Sequence, residues 1–267
     1  MKHDRTIFPL LLLLAVLYSC QTVPITGREQ IAFIPSSTIL PMSFDNYHDF
    51  LTGHKVIEHT PEAEMVTRVG LRIEHAVEQY FSEHGLSSRL QGYQWEFHLV
   101  EDKEANAWCM PGGKVVVYSG ILPITKDEDG LAVVLGHEIA HAVANHGDER
   151  MSQELLVQMG GLALDAALSE RPGETNSLFL AAYGAGAQVG VLLPYSRLHE
   201  SEADHLGLIF MAMAGYDPHH ALEFWERMAS SPHGKKPPEF LSDHPADATR
   251  IADIRRLIPE ALGYYRP

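Results

Sequence analysis

Two histidines and a glutamate stand at a spacing that can hold a metal ion and use it. Gly136-His137-Glu138-Ile139-Ala140-His141 reads HExxH, inside the run Leu131 to His146. On a helix, residues four apart share a face, so His137 and His141 can offer two imidazoles to one cation. Glu138 can then act on a water that the metal polarises. This combination can open a peptide bond without a covalent nucleophile. The competing reading is a surface helix with two solvated histidines. Leu131, Val133, Val134, Leu135, Ile139, Ala140, Ala142, Val143 and Ala144 argue against it, because they make the run apolar on most sides. Such a helix is buried, and buried His and Glu need partners.

A catalytic zinc takes three protein ligands and leaves one position for water. His146 is a tempting third histidine, nine residues after His137. A continuing helix turns that position away from the metal, so His146 is rejected. Carboxylates on another helix are the remaining candidates. Glu200 and Asp204 are four apart and share a face, while Glu202 points nearly opposite. One carboxylate can bind metal and the other can orient a ligating histidine. Spacing leaves open which does which, and the extra charge of Glu202 keeps a solvated acidic face as the competing reading.

Several elements must carry these residues. A helix is expected from Pro61 to near Gly85, capped by Thr60, with Met65, Val69, Ile73, Ala76, Val77 and Tyr80 as its apolar stripe. Tyr93 to Leu99 alternates and reads as a strand, and Lys114 to Ser119 is a second, β-branched one. Asp127-Glu128-Asp129 opens the HExxH helix with suitable charge. Leu178 to Leu193 is almost wholly apolar and reads as a buried helix, too short to span a membrane. Helices are expected from Tyr195 to Gly215, after Asp217-Pro218, and over Ala246 to Leu257, with a loop from Ser230 to Phe240.

The 267 residues carry a net charge of −15, which speaks against nucleic acid as a partner. Residues 1–19 read as a leader: Ile7 to Leu17 is apolar, and Leu17-Tyr18-Ser19-Cys20 resembles a bacterial lipoprotein signal in which Cys20 is lipidated. Residues 20–60 read as a tether that wraps the domain, and 61–267 as the domain itself. Cys109, the other cysteine, reads as a small buried apolar residue.

HEIAH in an apolar helix, followed by SRLHESEAD, resembles the HExxH…ExxxD pattern of the metallopeptidase family of HtpX and the CAAX prenyl endopeptidases. It is most similar to the soluble bacterial lipoprotein and mitochondrial stress-activated branch. NAWCMPGGKVVVYSGIL at 106–122 is similar to the family's strand segment beside the cleft. SDHP at 242–245, with Arg250, resembles its C-terminal His-Pro motif. Trp108, Cys109 and Asp243 depart from the commoner Phe, Ala and Thr.

The resemblance implies an α+β fold: a mainly helical, zincin-like (gluzincin) peptidase domain with a small β-sheet beside the active-site helix. It implies one zinc ion on His137, His141 and Glu200, with Asp204 behind a ligand and Glu138 as general base. It also implies that Lys114, Val115, Val116, Val117 and Tyr118 form a sheet edge that binds extended substrate. His244 is the candidate donor to the developing oxyanion, or else a plug in the open zinc position. The expected activity is cleavage of unfolded or misassembled envelope proteins by a lipid-anchored enzyme, at the bacterial outer membrane and near envelope assembly machinery. The alternative is a chaperone or assembly factor that binds clients on a latent peptidase fold.

Overall fold

The computed structural model describes residues 20–169, 173–188, 192–230, 240–241, 244–245 and 248–267. The leader expected over 1–19, the Cys20 side chain, loop residues 231–239, and Ser242 and Asp243 of the His-Pro motif lie outside what is described. The chain divides into two compact units. Ser36–Ala144 with Glu200–Pro267 is the larger, and Met1–Pro35 with Asn145–His199 is the smaller.

In the larger unit, α1 (Ser36–Gly53) and α2 (Pro61–Glu83) accompany a sheet of β3 (Val56–Ile57), β4 (Glu96–Val100), β5 (Ala107–Met110) and β6 (Lys114–Tyr118). Thr60 caps α2 as expected, its Oγ1 accepting from the Ala63 N–H at 3.2 Å. Val69, Ile73, Ala76, Val77 and Tyr80 are buried along the anticipated stripe. Gly70 lies so close to the Phe97 ring that a Cβ there would overlap it, which brings α2 down onto β4.

The sheet order is β3-β4-β6-β5, with β4 and β6 parallel and the other pairs antiparallel. This corrects one expectation. Lys114, Val115, Val116, Val117 and Tyr118 do not form an edge: β6 is paired on both sides and all five residues are buried. Three consecutive valines without alternation are what a strand covered on both faces requires. Among the described residues, the open edge on that side is β5, which lies against the HExxH helix.

Past the short α3 (Leu122–Thr125), that helix is α4 (Glu128–Val143). Asp127 caps it, accepting from the Gly130 N–H at 2.9 Å. Every residue from Gly130 to Val143 is buried except His141, which is half-buried. Asn145, in left-handed backbone at φ 59°, separates α4 from α5 (His146–Ala167). His146 is therefore not on a continuing helix: the left-handed turn at Asn145 ends α4 before it.

α7 (Leu193–Met213) carries Glu200 and Asp204, and α8 (His220–Ser230) and α9 (Ala248–Leu262) complete the larger unit. α4 and α8 pack together, as do α8 and α9.

The smaller unit pairs β1 (Cys20–Thr22) with β2 (Glu29–Ile31) and holds α5 and α6 (Gly173–Ala187). Arg28 forks onto Glu149 with contacts of 2.9 and 2.7 Å, and His199 meets the same carboxylate at 2.8 Å. The buried helix expected over 178–193 is corrected as well. Ala181, Ala182, Gly184, Ala185 and Gly186 of α6 are exposed, because this helix is covered chiefly by α5, through Tyr183 against Val157 and Gly160. No helix among the described residues is long and apolar enough to cross a membrane.

Candidate metal centre

α4 presents His137 and His141 on one face, with ring centroids 4.6 Å apart. α7 brings Glu200 to them: its Oε2 is 3.4 Å from His137 Nε2 and its Oε1 3.3 Å from His141 Nε2. His244, just before α9, places Nδ1 2.9 Å from both Glu200 oxygens and 3.1 Å from His137 Nε2. Ligand atoms of His137, His141, Glu200 and His244 all lie within 4.8 Å of one another. His146 is not in this group.

Protonation chemistry tests whether a cation fits. Asp204 Oδ1 lies 3.0 Å from His137 Nδ1, so Nδ1–H donates there and Nε2 of the neutral ring offers a lone pair. That lone pair faces His141 Nε2 at 3.1 Å, the His244 nitrogen and a carboxylate. The carboxylates of Glu200 and Asp204 against these rings favour positive charge at the centre. The pKa of His137 reflects this. Burial pulls it down, but Asp204 and Glu200 outweigh burial and raise it to about 9. Burial alone would raise Glu200, yet His137, His141 and His244 hold it far below the usual carboxylate range. Two imidazoles, a third nitrogen and one carboxylate are a donor set suited to zinc.

Glu138 stands apart. Its Oε1 is buried without a hydrogen-bond partner among the described residues, and His244 Nε2 lies 3.5 Å away. Burial raises its pKa, against the opposing charges of His244 and His137. An unpaired carboxylate oxygen of raised basicity beside a cation site is suited to taking a proton from water. Cys109 on β5 is half-buried, and burial followed by Glu138 pushes its thiol well up, which leaves it a poor nucleophile.

The structure thus brings together His137, Glu138, His141, Glu200, Asp204 and His244. Cys20 belongs to β1 of the smaller unit. Two neighbours escaped spacing arguments. Arg250 forks onto Asp204 and reaches Glu200, and its guanidinium lies 3.5 Å from the centre of the Trp225 ring. Arg250 is 46 residues from Asp204, so no local pattern could pair them.

Comparison with known proteins agrees with this chemistry. The profile of peptidase family M48 matches residues 70–258. The chain is 36% identical over 243 residues to mitochondrial metalloendopeptidase OMA1 of Schizosaccharomyces pombe, covering 90% of this chain and 66% of that protein. It is 37% identical over 186 residues to the Saccharomyces cerevisiae protein of that name, covering 67% of this chain and 51% of the other. It is 32% identical over 168 residues to the beta-barrel assembly-enhancing protease of Yersinia pestis, covering 60% of this chain and 34% of that protease. The chain therefore spans between a third and two thirds of these relatives' lengths.

The expected place in a bacterial envelope, at the outer membrane, is corrected by these relatives. Those from fission yeast, budding yeast, cattle, Arabidopsis and human are all named as mitochondrial proteins. The leader motif behind that expectation is four residues long and says less than similarity along most of the chain. With an HExxH helix, a carboxylate from a second helix and a family profile over residues 70–258, the chain belongs to peptidase family M48.

Proposed function

We propose that the chain is a zinc-dependent endopeptidase that hydrolyses unfolded or misassembled proteins, with His137, His141 and Glu200 as metal ligands and Glu138 as general base. The observation that carries this reading is the meeting of three donors from two helices beside the unpaired Glu138 oxygen. A zinc ion held by His137, His141 and Glu200 would supply Lewis acidity to the attacking water. Glu138 Oε1 takes a proton from the attacking water and delivers it to the leaving amine. Asp204 holds the ring of His137 through Nδ1.

Substrate binding is assigned to β5 in place of β6. The Asn106 carbonyl accepts from Tyr118 N–H at 3.0 Å and the Met110 carbonyl from Gly113 N–H at 3.2 Å, so these groups point toward β6. Alternation then turns the main-chain groups of Cys109 and the carbonyl of Ala107 to the open edge, while the Ala107 N–H donates to Asn106 Oδ1 at 2.9 Å. Main-chain pairing there favours extended chains with little sequence preference, which suits unfolded substrates. Degradation of casein beside a tightly folded protein tests this. Casein should be cleaved in a chelator-sensitive, zinc-restored manner while the folded protein survives, and equal cleavage of both contradicts the substrate class.

The position of His244 favours a second, latent reading of the same site. Its Nδ1 lies with the ligand atoms, where it would take the place of water. His244→Ala should then raise basal casein cleavage, whereas a role as oxyanion donor requires a fall. We further propose acylation of Cys20, on the strength of the apolar stretch Ile7 to Leu17 before it. The intact mass of the mature chain tests it.

A further inference from the structure

Arg250 is the most heavily engaged cation among the described residues of the larger unit, and the mechanism above gives it no part. It lies in the first turn of α9 and is 8% exposed. Nε and Nη2 donate to the two oxygens of Asp204 at 2.8 and 2.7 Å. Nη1 donates to Glu200 Oε2 at 3.0 Å and, more weakly, to the Pro245 carbonyl at 3.5 Å. Trp225, fully buried on α8, forms a floor 3.5 Å beneath the guanidinium.

Two features distinguish this from an ordinary buried ion pair. The Asp204 oxygen that accepts Nη2 is also the one that faces His137 Nδ1 at 3.0 Å. Clamping both Asp204 oxygens fixes the carboxylate plane, and with it the ring that Asp204 orients. On the other side, Nη1 engages Oε2 of Glu200, while Oε1 is the oxygen nearer His141. One planar fork therefore serves two carboxylates a helical turn apart, which would otherwise repel each other in a buried site. A lysine carries the same charge as a point and cannot span both.

We propose that Arg250, held flat by Trp225, is the positioning residue of the metal centre: it occupies one oxygen of Glu200, so that the other alone is presented to the metal, and it locks Asp204 onto His137. The inference rests on the metallopeptidase reading and deepens it. Metal affinity and coordination number then depend on the shape of the guanidinium as well as its charge.

The test uses the full chain as wild type, Arg250→Lys and Trp225→Leu. Three quantities are measured: zinc affinity by competition with a chromophoric chelator, the visible d–d bands of the cobalt(II)-substituted protein, and the melting temperature without metal. Arg250→Lys should bind zinc roughly 10–100-fold more weakly, the range seen when groups behind metal ligands are altered. Its cobalt bands should weaken as Glu200 becomes free to ligate through both oxygens. Trp225→Leu keeps the guanidinium but removes its floor, and should shift both readings in the same direction by less. It keeps the proposal testable if the lysine variant does not fold. Unchanged zinc affinity and cobalt bands in a folded variant overturn the inference and leave the peptidase reading intact. Wild-type protein that binds no zinc overturns both.

Discussion

Gly136 and Gly207 meet back to back where α4 crosses α7. A Cβ on Gly136 would lie 2.9 Å from the Gly207 carbonyl oxygen, and a Cβ on Gly207 would lie 2.9 Å from the main chain of Gly136 and His137. Backbone touches backbone at this crossing, one residue before His137 and one turn after Asp204. The contact sets how near Glu200 comes to the two histidines.

Gly207→Ala should therefore push the helices apart. Overpacking of this kind costs about 1–3 kcal/mol, and here zinc affinity should fall with it. Thermal unfolding and zinc competition on the same variant check both effects. A lower melting temperature with unaltered zinc affinity would separate the crossing from the metal site.

The open edge of β5 yields a kinetic prediction. Cys109→Pro removes a main-chain donor from the edge without disturbing the β6 ladder, and proline is tolerated at such positions. One lost hydrogen bond is worth about 1 kcal/mol, roughly a fivefold rise in KM for casein. Cys109→Ala keeps the N–H and should leave KM unchanged. Equal effects of the two variants would mean that the side chain matters and the edge does not.

Stability of the smaller unit should fall in acid through Glu149. Burial alone would raise this carboxyl, but His199 and Arg28 lower it from 4.5 to about 2. A depressed carboxylate contributes stability above its unfolded pKa and loses it as pH falls through its folded one. The contribution, about 3 kcal/mol by linkage, should disappear between about pH 4.5 and 2. The adjacent Asp148 acts in the opposite sense. Burial raises it to about 6, so its protonation gains stability as pH drops below that value. Denaturant titrations across this range should show a steep acid loss in wild type that is flattened in Glu149→Gln.

The meeting of HExxH with the Glu200/Asp204 pair is legible in the sequence because helical periodicity is local: each needs only one turn of helix. The strand order was not. Lys114 to Tyr118 reads as a strand, but whether it lies at an edge depends on β5 returning beside it. The missing alternation in Val115-Val116-Val117 was the signal that β6 is covered on both faces. The exposure of α6 was equally hidden, since apolar composition does not state how many neighbours a helix has. Arg250 joins the centre through its fork onto Asp204, and Trp225 through its ring beneath that guanidinium, in tertiary contacts that carry no sequence period. The compartment is not legible in the leader motif, because a short apolar stretch before a cysteine carries less information than similarity along the rest of the chain.

The raised basicity of Glu138 predicts the acid limb of activity. Burial raises its pKa, so the limb of kcat/KM should lie above the ordinary carboxylate range. A pH–rate profile for casein cleavage checks this, and a limb at ordinary carboxylate pH would assign the titration to another group.

The most direct test of the central claim compares wild type with Glu138→Gln at matched zinc content, in casein cleavage. The amide preserves shape and leaves His137, His141 and Glu200 in place, but it cannot accept a proton. Zinc should bind both proteins equally, and cleavage should fall by roughly 10²–10⁴-fold in the variant. Undiminished cleavage by zinc-loaded Glu138→Gln would contradict the role of Glu138 as general base.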